Sequence, residues 1–256
     1  QNHCMKTRMT LLLMAIGLFC LTSCSKDDSD TKPEVIRLKT ATSTIQNETS
    51  SMIFTYNEDN RMAKCQYDDA SYDTILYYAD SIIINSYIDP STLYSKSVYQ
   101  LNSKGLAVTG ECTYYVKSSA KVSVFSPFHF PNASAIYTYE YDANGYLVEM
   151  TEIVEGMTNT YTYVIENGNT VSRTMYIGSI PIQADLTFDT GKSNTIGDQN
   201  MGIDFRGKQD NNLMTNITVA AYSYSFNVVY EYDAKNRVTK QSIPDALSYG
   251  FYTYVE

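Results

Sequence analysis

Apolar and polar residues alternate along most of the chain after Pro33, which is the spacing of β-strands. Tyr, Thr, Val and Ile dominate these stretches, and Gly or Asn recurs between them at short intervals. The first group favours strands and the second favours turns, so the pattern predicts many short strands. No sustained three-to-four-residue apolar spacing predicts a helix. The predicted strands include VIRLKTATS, SMIFTY, SIIINSY, LAVTGECTYYV, AIYTYEY, TYTYVIE, TVSRTMYI and YSFNVVYEY.

One sequence phrase occurs four times along the chain. It is clearest as YEYDANGYLVEM from Tyr139 and YEYDAKNRVTK from Tyr230, and weaker copies begin at Phe54 and Tyr99. In each copy an Asn or Asp follows a strand, and a Gly or Asn stands three residues later. The first residue can cap a turn with its side chain and the second accepts the left-handed backbone that closes it, so each copy predicts a β-hairpin. The pairs are Asn57 with Asn60, Asn102 with Gly105, Asp142 with Gly145, and Asp233 with Asn236.

Successive hairpins predict an all-β fold, an antiparallel meander curled into a barrel or half-barrel to hide its edges. The four copies are spaced 45, 40 and 91 residues apart, which argues against a solenoid of fixed period. Lys64 and Lys240 stand in the middle of predicted strands, and a lipid-facing barrel wall disfavours such charges. We therefore expect a single water-soluble domain over residues 35–256.

The second strand of each hairpin predicts which residues face the interior. Counting from the closing residue of the turn, the third and fifth residues are expected to point inward. These are Ala63 and Cys65, Val108 and Gly110, and Val148 and Met150. Cys112 shares the face of Cys65 if no bulge intervenes, and the two thiols can form a disulfide or remain free.

The N-terminus has the features of a secretion signal. Met5 is the natural start, Lys6 and Arg8 supply positive charge, and an apolar run of 11 residues follows at 11–21. Because a membrane-spanning helix needs about 20 apolar residues, this run predicts a signal peptide instead. The predicted signal covers residues 1–23, of which the first four lie upstream of the start.

Residues Leu21 to Cys24 resemble the bacterial lipobox, which implies acylation of Cys24 and attachment to a membrane. The polar residues that follow predict a lipidated acidic tether at 24–34. Its beginning resembles the export signal that sends Bacteroidota lipoproteins to the outer face of the outer membrane. We therefore expect a lipid-anchored protein of the outer membrane, exposed at the cell surface. The export residues are Ser25, Lys26, Asp27 and Asp28.

From about Arg37 to the end, the chain resembles a family of uncharacterised Bacteroidota lipoproteins, a domain of unknown function with a porin-like fold. The resemblance rests on the lipobox and tether, the strand RLKTATST, the YTYEYDANGYL hairpins and the segment NTIGDQNMGIDF. The hairpin phrase also resembles the tyrosine-aspartate repeats of the Rhs family through Tyr141, Asp142 and Gly145. The family brings no catalytic residues to transfer.

Charge and residue types limit the chemistry. With 28 acidic against 19 basic residues the net charge is −9, which disfavours nucleic acid as a partner. His129 is the one histidine of the mature chain, so zinc sites built on several histidines are excluded. Asp198, Asn200 and Asp204 suggest a calcium loop, but Gly202 occupies a ligand position. We expect no metal and no cofactor.

A carboxylate pair is a further candidate for catalysis. Asp68, Asp69 and Asp73 cluster within YDDASYD, and a glycan hydrolase needs two facing acids. Adjacent strand residues point to opposite faces, so Asp68 and Asp69 do not form such a pair, and acids at a hairpin end are usually solvated. We expect no enzymatic activity, and we keep glycan hydrolysis as an alternative.

Two loops, residues 126–134 and 193–212, interrupt the hairpin pattern. We expect the functional residues to lie in these loops. In the first, Phe128, His129 and Phe130 lie between two prolines and form a possible contact loop for a glycan or another outer-membrane protein. The competing interpretation is that these rings plug the barrel. A non-catalytic binding role is therefore expected, with a carrier of an apolar ligand or lipid as a second alternative. Thr74 and Ser81 resemble Bacteroidota O-glycosylation sites.

Overall fold

The structure of the protein is a computed structural model that describes residues 35–45, 47–115 and 134–255. The predictions for Cys24, for residues 25–28 and for residues 128–130 lie outside this part of the chain. The described residues form seventeen strands and three short 3-10 turns, the latter at Asp198–Met201, Ala220–Tyr222 and Pro244–Ala246. The strands are β1 Leu38–Ile45, β2 Glu48–Tyr56, β3 Met62–Tyr67, β4 Tyr72–Tyr77, β5 Ser81–Asp89, β6 Thr92–Leu101, β7 Ala107–Tyr114, β8 Ser134–Tyr141, β9 Leu147–Val154, β10 Met157–Glu166, β11 Asn169–Ile177, β12 Ile180–Ser193, β13 Asn212–Val219, β14 Tyr224–Asn227, β15 Val229–Tyr232, β16 Val238–Ile243 and β17 Ser248–Tyr254.

The strands form one antiparallel meander that closes almost completely on itself. Neighbours in sequence are neighbours in the sheet, and β1 pairs with both β2 and β17. The last strand thus returns to the first, which confirms the predicted all-β barrel. The wall is irregular at Val228, because β14 pairs with β13 whereas β15 pairs with β16. The described residues contain no helix long and apolar enough to cross a membrane.

All four repeated hairpins carry the same β-bulge. In the first, Tyr56 pairs with Met62 and Thr55 pairs with Lys64, which leaves Ala63 as the extra residue. The extra residues of the other three are Val108, Val148 and Thr239. A bulge shifts the alternation of faces by one residue, so the prediction for the third residue after each turn is wrong. The fifth residues, Cys65, Gly110 and Met150, are buried as predicted.

Cys65 and Cys112 both face the interior and both are free thiols. Burial raises the pKa of the Cys65 thiol, and the neighbouring carboxylate of Asp73 raises it further. Neither cysteine is accessible enough to react as an exposed thiolate would.

The barrel has two distinct ends. At the near end the described chain enters β1, and the four repeated turns lie at 57–60, 102–105, 142–145 and 233–236. The far end is at the other tips of the same strands, with turns that include 68–71, 155–156, 178–179, 220–223 and 244–247. The connection from β7 to β8 also leaves and returns at the far end.

Candidate functional site

A non-repeated segment fills the near end of the barrel. This crossing segment comprises residues 194–211, between β12 and β13, and lies in the second loop that the sequence marks as irregular. It is much more buried than a surface loop. Its buried residues include Asn194, Thr195, Ile196, Asp198, Asn200, Ile203, Phe205, Gln209 and Asp210.

The crossing segment follows the inner circumference of the rim. Its successive residues contact β16, the start of β1, β3, β7, the β8–β9 turn and the β10–β11 turn, in the order of the barrel. Most of these contacts are hydrogen bonds of the main chain. Two of the bonds use a side chain: the Val238 amide donates to the Thr195 hydroxyl at 3.0 Å, and the Arg37 guanidinium donates to the Gln199 carbonyl at 2.8 Å. The main-chain bonds join Gly202 to Met62 at 3.3 Å, Phe205 to Ala107 at 2.8 Å, Lys208 to Gly145 at 2.8 Å and Asn211 to Gly168 at 2.8 Å.

Each repeated hairpin supplies one of these contacts. In the first two copies, the amides of Met62 and Ala107 donate to carbonyls of the crossing segment. Val238 holds the equivalent position in the fourth copy, and its amide donates to the Thr195 hydroxyl. The third copy instead accepts a bond from Lys208 through the carbonyl of Gly145. The repeated phrase therefore builds a frame for a segment that is not repeated.

Two glycines allow the segment to approach the hairpins closely. Gly202 has φ +72, and a Cβ there would lie 2.8 Å from both the Asn60 carbonyl oxygen and the Met62 nitrogen. Gly207 has φ +97, and its Cβ would lie 2.7 Å from the ring of Tyr141. Only glycine combines this backbone conformation with contact at such distances.

The crossing segment also places opposite charges inside the barrel. Arg206 donates to the Tyr99 hydroxyl and lies beside Asp198. Burial raises the pKa of Asp198 to about 6, although Arg206 and a hydrogen bond from Gln209 oppose this shift. Burial likewise raises the pKa of Asp210 to about 6, against hydrogen bonds from Thr170. These groups hold the segment to the wall. Because they are buried away from bulk solvent, they do not attract charged ligands from solution.

The residues of the suggested calcium loop have other partners. The Asn200 amide oxygen accepts from the Gly197 amide at 3.2 Å, and its nitrogen donates to the Ile36 carbonyl at 3.3 Å. Asp198 is engaged by Gln209 and lies near Arg206. Within the described residues, no three His, Cys, Asp or Glu side chains are grouped so as to hold a metal ion.

The three clustered acids of YDDASYD separate in the structure. Asp68 accepts from the Ser51 amide at 3.2 Å, and Asp69 caps the turn through the Ser71 amide at 3.1 Å. Asp73, by contrast, is buried and accepts from the Tyr67 hydroxyl at 2.7 Å. The expectation of a solvated side chain is correct for Asp68 and Asp69 and wrong for Asp73, because Asp73 lies on the inward face of β4.

A small pocket marks the irregularity of the wall beside β15. It has a volume of about 10 Å³ and is lined in part by Phe188, Asp210, Leu213 and Tyr230. Such a space holds about one water molecule. This pocket does not have the room that the carrier hypothesis requires.

Two solved structures share the architecture of this chain. A porin-like protein from Bacteroides uniformis is 17% identical, with a TM-score of 0.61, over 85% of this chain and 98% of its own. A porin-like protein from Bacteroides vulgatus is 11% identical, with a TM-score of 0.56, over 86% of this chain and 99% of its own. The chain has a porin-like fold. No protein-family model and no curated protein matches it.

The suggested glycosylation residues occupy different settings on the porin-like barrel. Thr74 lies in the middle of β4, between Lys64 and Asn85 on the neighbouring strands. Ser81 begins β5 beside a near-end turn, and its hydroxyl donates to Asp80 at 3.1 Å. The structure thus separates the two residues and joins neither to the crossing segment.

The contacts of the crossing segment were not predicted from sequence. Its Gly- and Asn-rich composition marked it as irregular and gave no indication that it is buried. A usable signal was the presence of Ile196, Ile203 and Phe205 among the polar residues, since large apolar side chains in a loop commonly pack against a core.

Proposed function

We propose that the porin-like barrel is a non-catalytic binding protein, anchored to the outer membrane through a lipid on Cys24 and exposed at the cell surface. The observation that carries this proposal is the position of Arg37. Its guanidinium donates to the carbonyls of Asn60 and Gln199, at 2.7 and 2.8 Å, which fixes the start of β1 to the near end. A tether over residues 24–34 then leaves the far end free for a partner.

The outer wall supports a barrel that stands in water. Charged side chains project outward from the middle of several strands, and Lys240 forms an ion pair with Glu231 at 2.6 Å. A charge on the lipid face of a membrane barrel costs about 2–4 kcal/mol at the bilayer midplane. Other charged residues of the outer face are Lys64, Lys96, Glu111 and Glu140.

The filled near end favours binding over conduction. A porin needs a water-filled channel from one end to the other, whereas here Phe205 and Ile203 are fully buried at the near end. Phe205 packs on Tyr99 with ring centroids 5.0 Å apart. The near end is therefore closed by packed side chains, and the part of the chain that the structure describes leaves no open passage there for a water column.

We propose Phe128, His129 and Phe130 as contact residues for a glycan or another outer-membrane protein. β7 ends at Tyr114 and β8 begins at Ser134, both at the far end, so this connection starts and finishes on the side away from the tether. Aromatic residues are frequent anchors of binding interfaces.

Two measurements test the proposal. Cells that express the wild-type chain should incorporate labelled fatty acid into the protein and expose it to external protease. Cys24→Ser should abolish the label, and alanines at residues 25–28 should retain the label but remove the protease sensitivity. A label that persists in Cys24→Ser would refute the anchor.

Partner binding needs its own control. Phe128→Ala/Phe130→Ala should abolish capture on a glycan array or by outer-membrane extracts and leave the unfolding midpoint unchanged. Tyr78→Ala, at an exposed aromatic residue of a near-end turn, is the matched control and should bind normally. Loss of folding in the double variant would assign the rings to the core instead.

A further inference from the structure

Three rows of inward-facing residues run around the barrel towards the far end of β10–β12. One row passes through cross-strand neighbours Tyr137, Glu152, Asn159, Ile177 and Ile180. Neighbours in register share a face of the sheet, so all five point to the inside. The second row runs Met150, Tyr161, Met175 and Ile182, and the third runs Ala135, Val154 and Met157.

The first and third rows change from buried to exposed as they reach the far-end tips of β10–β12, whereas Met175 and Ile182 of the second row stay partly buried. Glu152 is 1% exposed, whereas Ile177 is 50% and Ile180 is 68% exposed on the same face. Val154 is buried and its partner Met157 is exposed. The inner face is therefore covered over β8 and β9 and open to water only at the tips of β10–β12, since Ala184 and Leu186 deeper on β12 are buried. These tips form an apolar mouth at the far end. We define the mouth by Met157, Ile177 and Ile180, which are its exposed side chains.

The described turns at this end of the barrel carry charges of one sign. Glu155 forms the turn directly before Met157 and is exposed, and Asp245 is exposed on the turn between β16 and β17. These turns contain no Lys or Arg. In the sequence, the connection between β7 and β8 has two basic residues, Lys117 and Lys121, which are fewer than the acids of the turns. The acids are Glu48, Asp68, Asp69, Asp89, Glu155 and Asp245.

We propose that the far-end mouth over β10–β12 binds a segment of another protein in which apolar side chains alternate with Lys or Arg. The exposed Ile and Met side chains bury the apolar residues, and the acidic turns attract the basic ones. An extended segment suits the mouth because its side chains alternate between two faces, one towards the isoleucines and one towards the acids. This inference deepens the proposed binding function and depends on it only in requiring that the far end be free.

The same charges disfavour a membrane as the occupant. A lipid surface attracts proteins through basic residues that approach anionic headgroups. Glu155 and Asp245 would instead be repelled as the apolar mouth approached such a surface.

The experiment uses the full chain with Cys24→Ser, which cannot be acylated, and three labelled nonapeptides. One alternates Leu with Lys, one Leu with Glu and one Ser with Lys. Fluorescence anisotropy should show binding of the Leu–Lys peptide alone, weakened by salt. Ile177→Ser/Ile180→Ser should weaken that binding about tenfold or more, because it removes apolar contact area.

Matched variants separate the mouth from general effects. Ile53→Ser/Ile153→Ser changes two isoleucines of the outer wall, 52% and 39% exposed, and should bind as the wild type does. Glu155→Gln should weaken binding and reduce its salt dependence, whereas Glu58→Gln at a near-end turn should do neither. Met157→Ser provides a second mouth variant should the double variant fail to fold.

Several results would overturn the inference. These are equal binding of the Leu–Glu peptide, equal loss in the outer-wall control, or no binding of any peptide. Binding to neutral phosphatidylcholine vesicles that the mouth variants abolish would assign the mouth to a membrane. Failure here leaves the lipid label on Cys24 and the capture by Phe128 and Phe130 unaffected, so the two proposals can fail separately.

Discussion

The two ends of the barrel are built by different means. At the near end, four hairpins of one sequence pattern place the same bulge and the same turn around the crossing segment. At the far end, the described turns differ from one another and leave large apolar side chains exposed, among them Ile180 and Leu247. Repetition thus serves the end that must fit one internal segment. The other end is free of that constraint, and it is the end for which we propose contact with a partner.

The largest change in unfolding free energy is expected for a variant that tests whether the crossing segment stabilises the near end. Phe205→Ala removes a fully buried ring, and such truncations cost about 3–5 kcal/mol of unfolding free energy. Phe251→Ala is the matched control, because Phe251 lies 45% exposed on the outer wall and should cost less than about 1 kcal/mol. Urea unfolding followed by circular dichroism measures both. Equal losses would show that the segment is not part of the cooperative core.

The next effect concerns the close approach of the segment to the hairpins. Gly202→Ala and Gly105→Ala both place a Cβ at positive φ, +72 and +78, but only the first places it against backbone atoms. We expect about 1 kcal/mol from the backbone conformation alone in Gly105→Ala. Gly202→Ala should cost at least about 2 kcal/mol, since the backbone must also shift. Similar unfolding midpoints for the two variants would contradict the tight contact.

The hairpins and the closure of the sheet could be predicted from sequence because their causes are local. Asp142 accepts from the Tyr146 amide at 2.8 Å, and Gly145 has a positive φ, as the four-residue turn pattern requires. Alternation then sets the two faces, and a long meander has few ways to hide its edges. Local preference and the global fold agree in this part of the chain.

The bulge and the path of the crossing segment could not be predicted in the same way. The bulge allows the Met62 and Ala107 amides to donate to a segment more than ninety residues away in sequence. Nothing local in MAKCQY distinguishes that arrangement from regular alternation, so alternation alone places Ala63 on the wrong face. The burial of Asp73 similarly depends on Tyr67, which shares its face only once the register is set.

A smaller effect is expected in the pH dependence of unfolding free energy, which tests the buried charges of the near end. The pKa values of Asp198 and Asp210 are raised from 3.8 to about 6 in the folded state. The folded protein then holds more protons than the unfolded chain between these values, so unfolding free energy should fall as pH rises from about 4 to about 6. Each of the two carboxyls should contribute about 1–3 kcal/mol to the fall, since one pKa unit corresponds to about 1.4 kcal/mol.

Variants of the crossing segment assign this pH dependence. Asp198→Asn should remove about half of the decline in unfolding free energy between about pH 4 and 6, because Asp210 still titrates; urea titrations across that range measure it. Asp204→Asn, at an exposed acid of the same segment, should leave the decline unchanged. A stability that rises over this pH range would mean that Asp198 is stabilised, rather than destabilised, in its ionised form.

The smallest expected effect is at the far end. Ile177→Ser/Ile180→Ser should change unfolding free energy by less than about 1 kcal/mol, because side chains that stay exposed contribute little to the folded state. Ile217→Ser, at an inward-facing isoleucine that is 1% exposed, should cost about 2–5 kcal/mol in the same urea titration. If the mouth variant were as destabilising as Ile217→Ser, its isoleucines would belong to the core, and the far end would no longer be the side of the barrel left free for a partner.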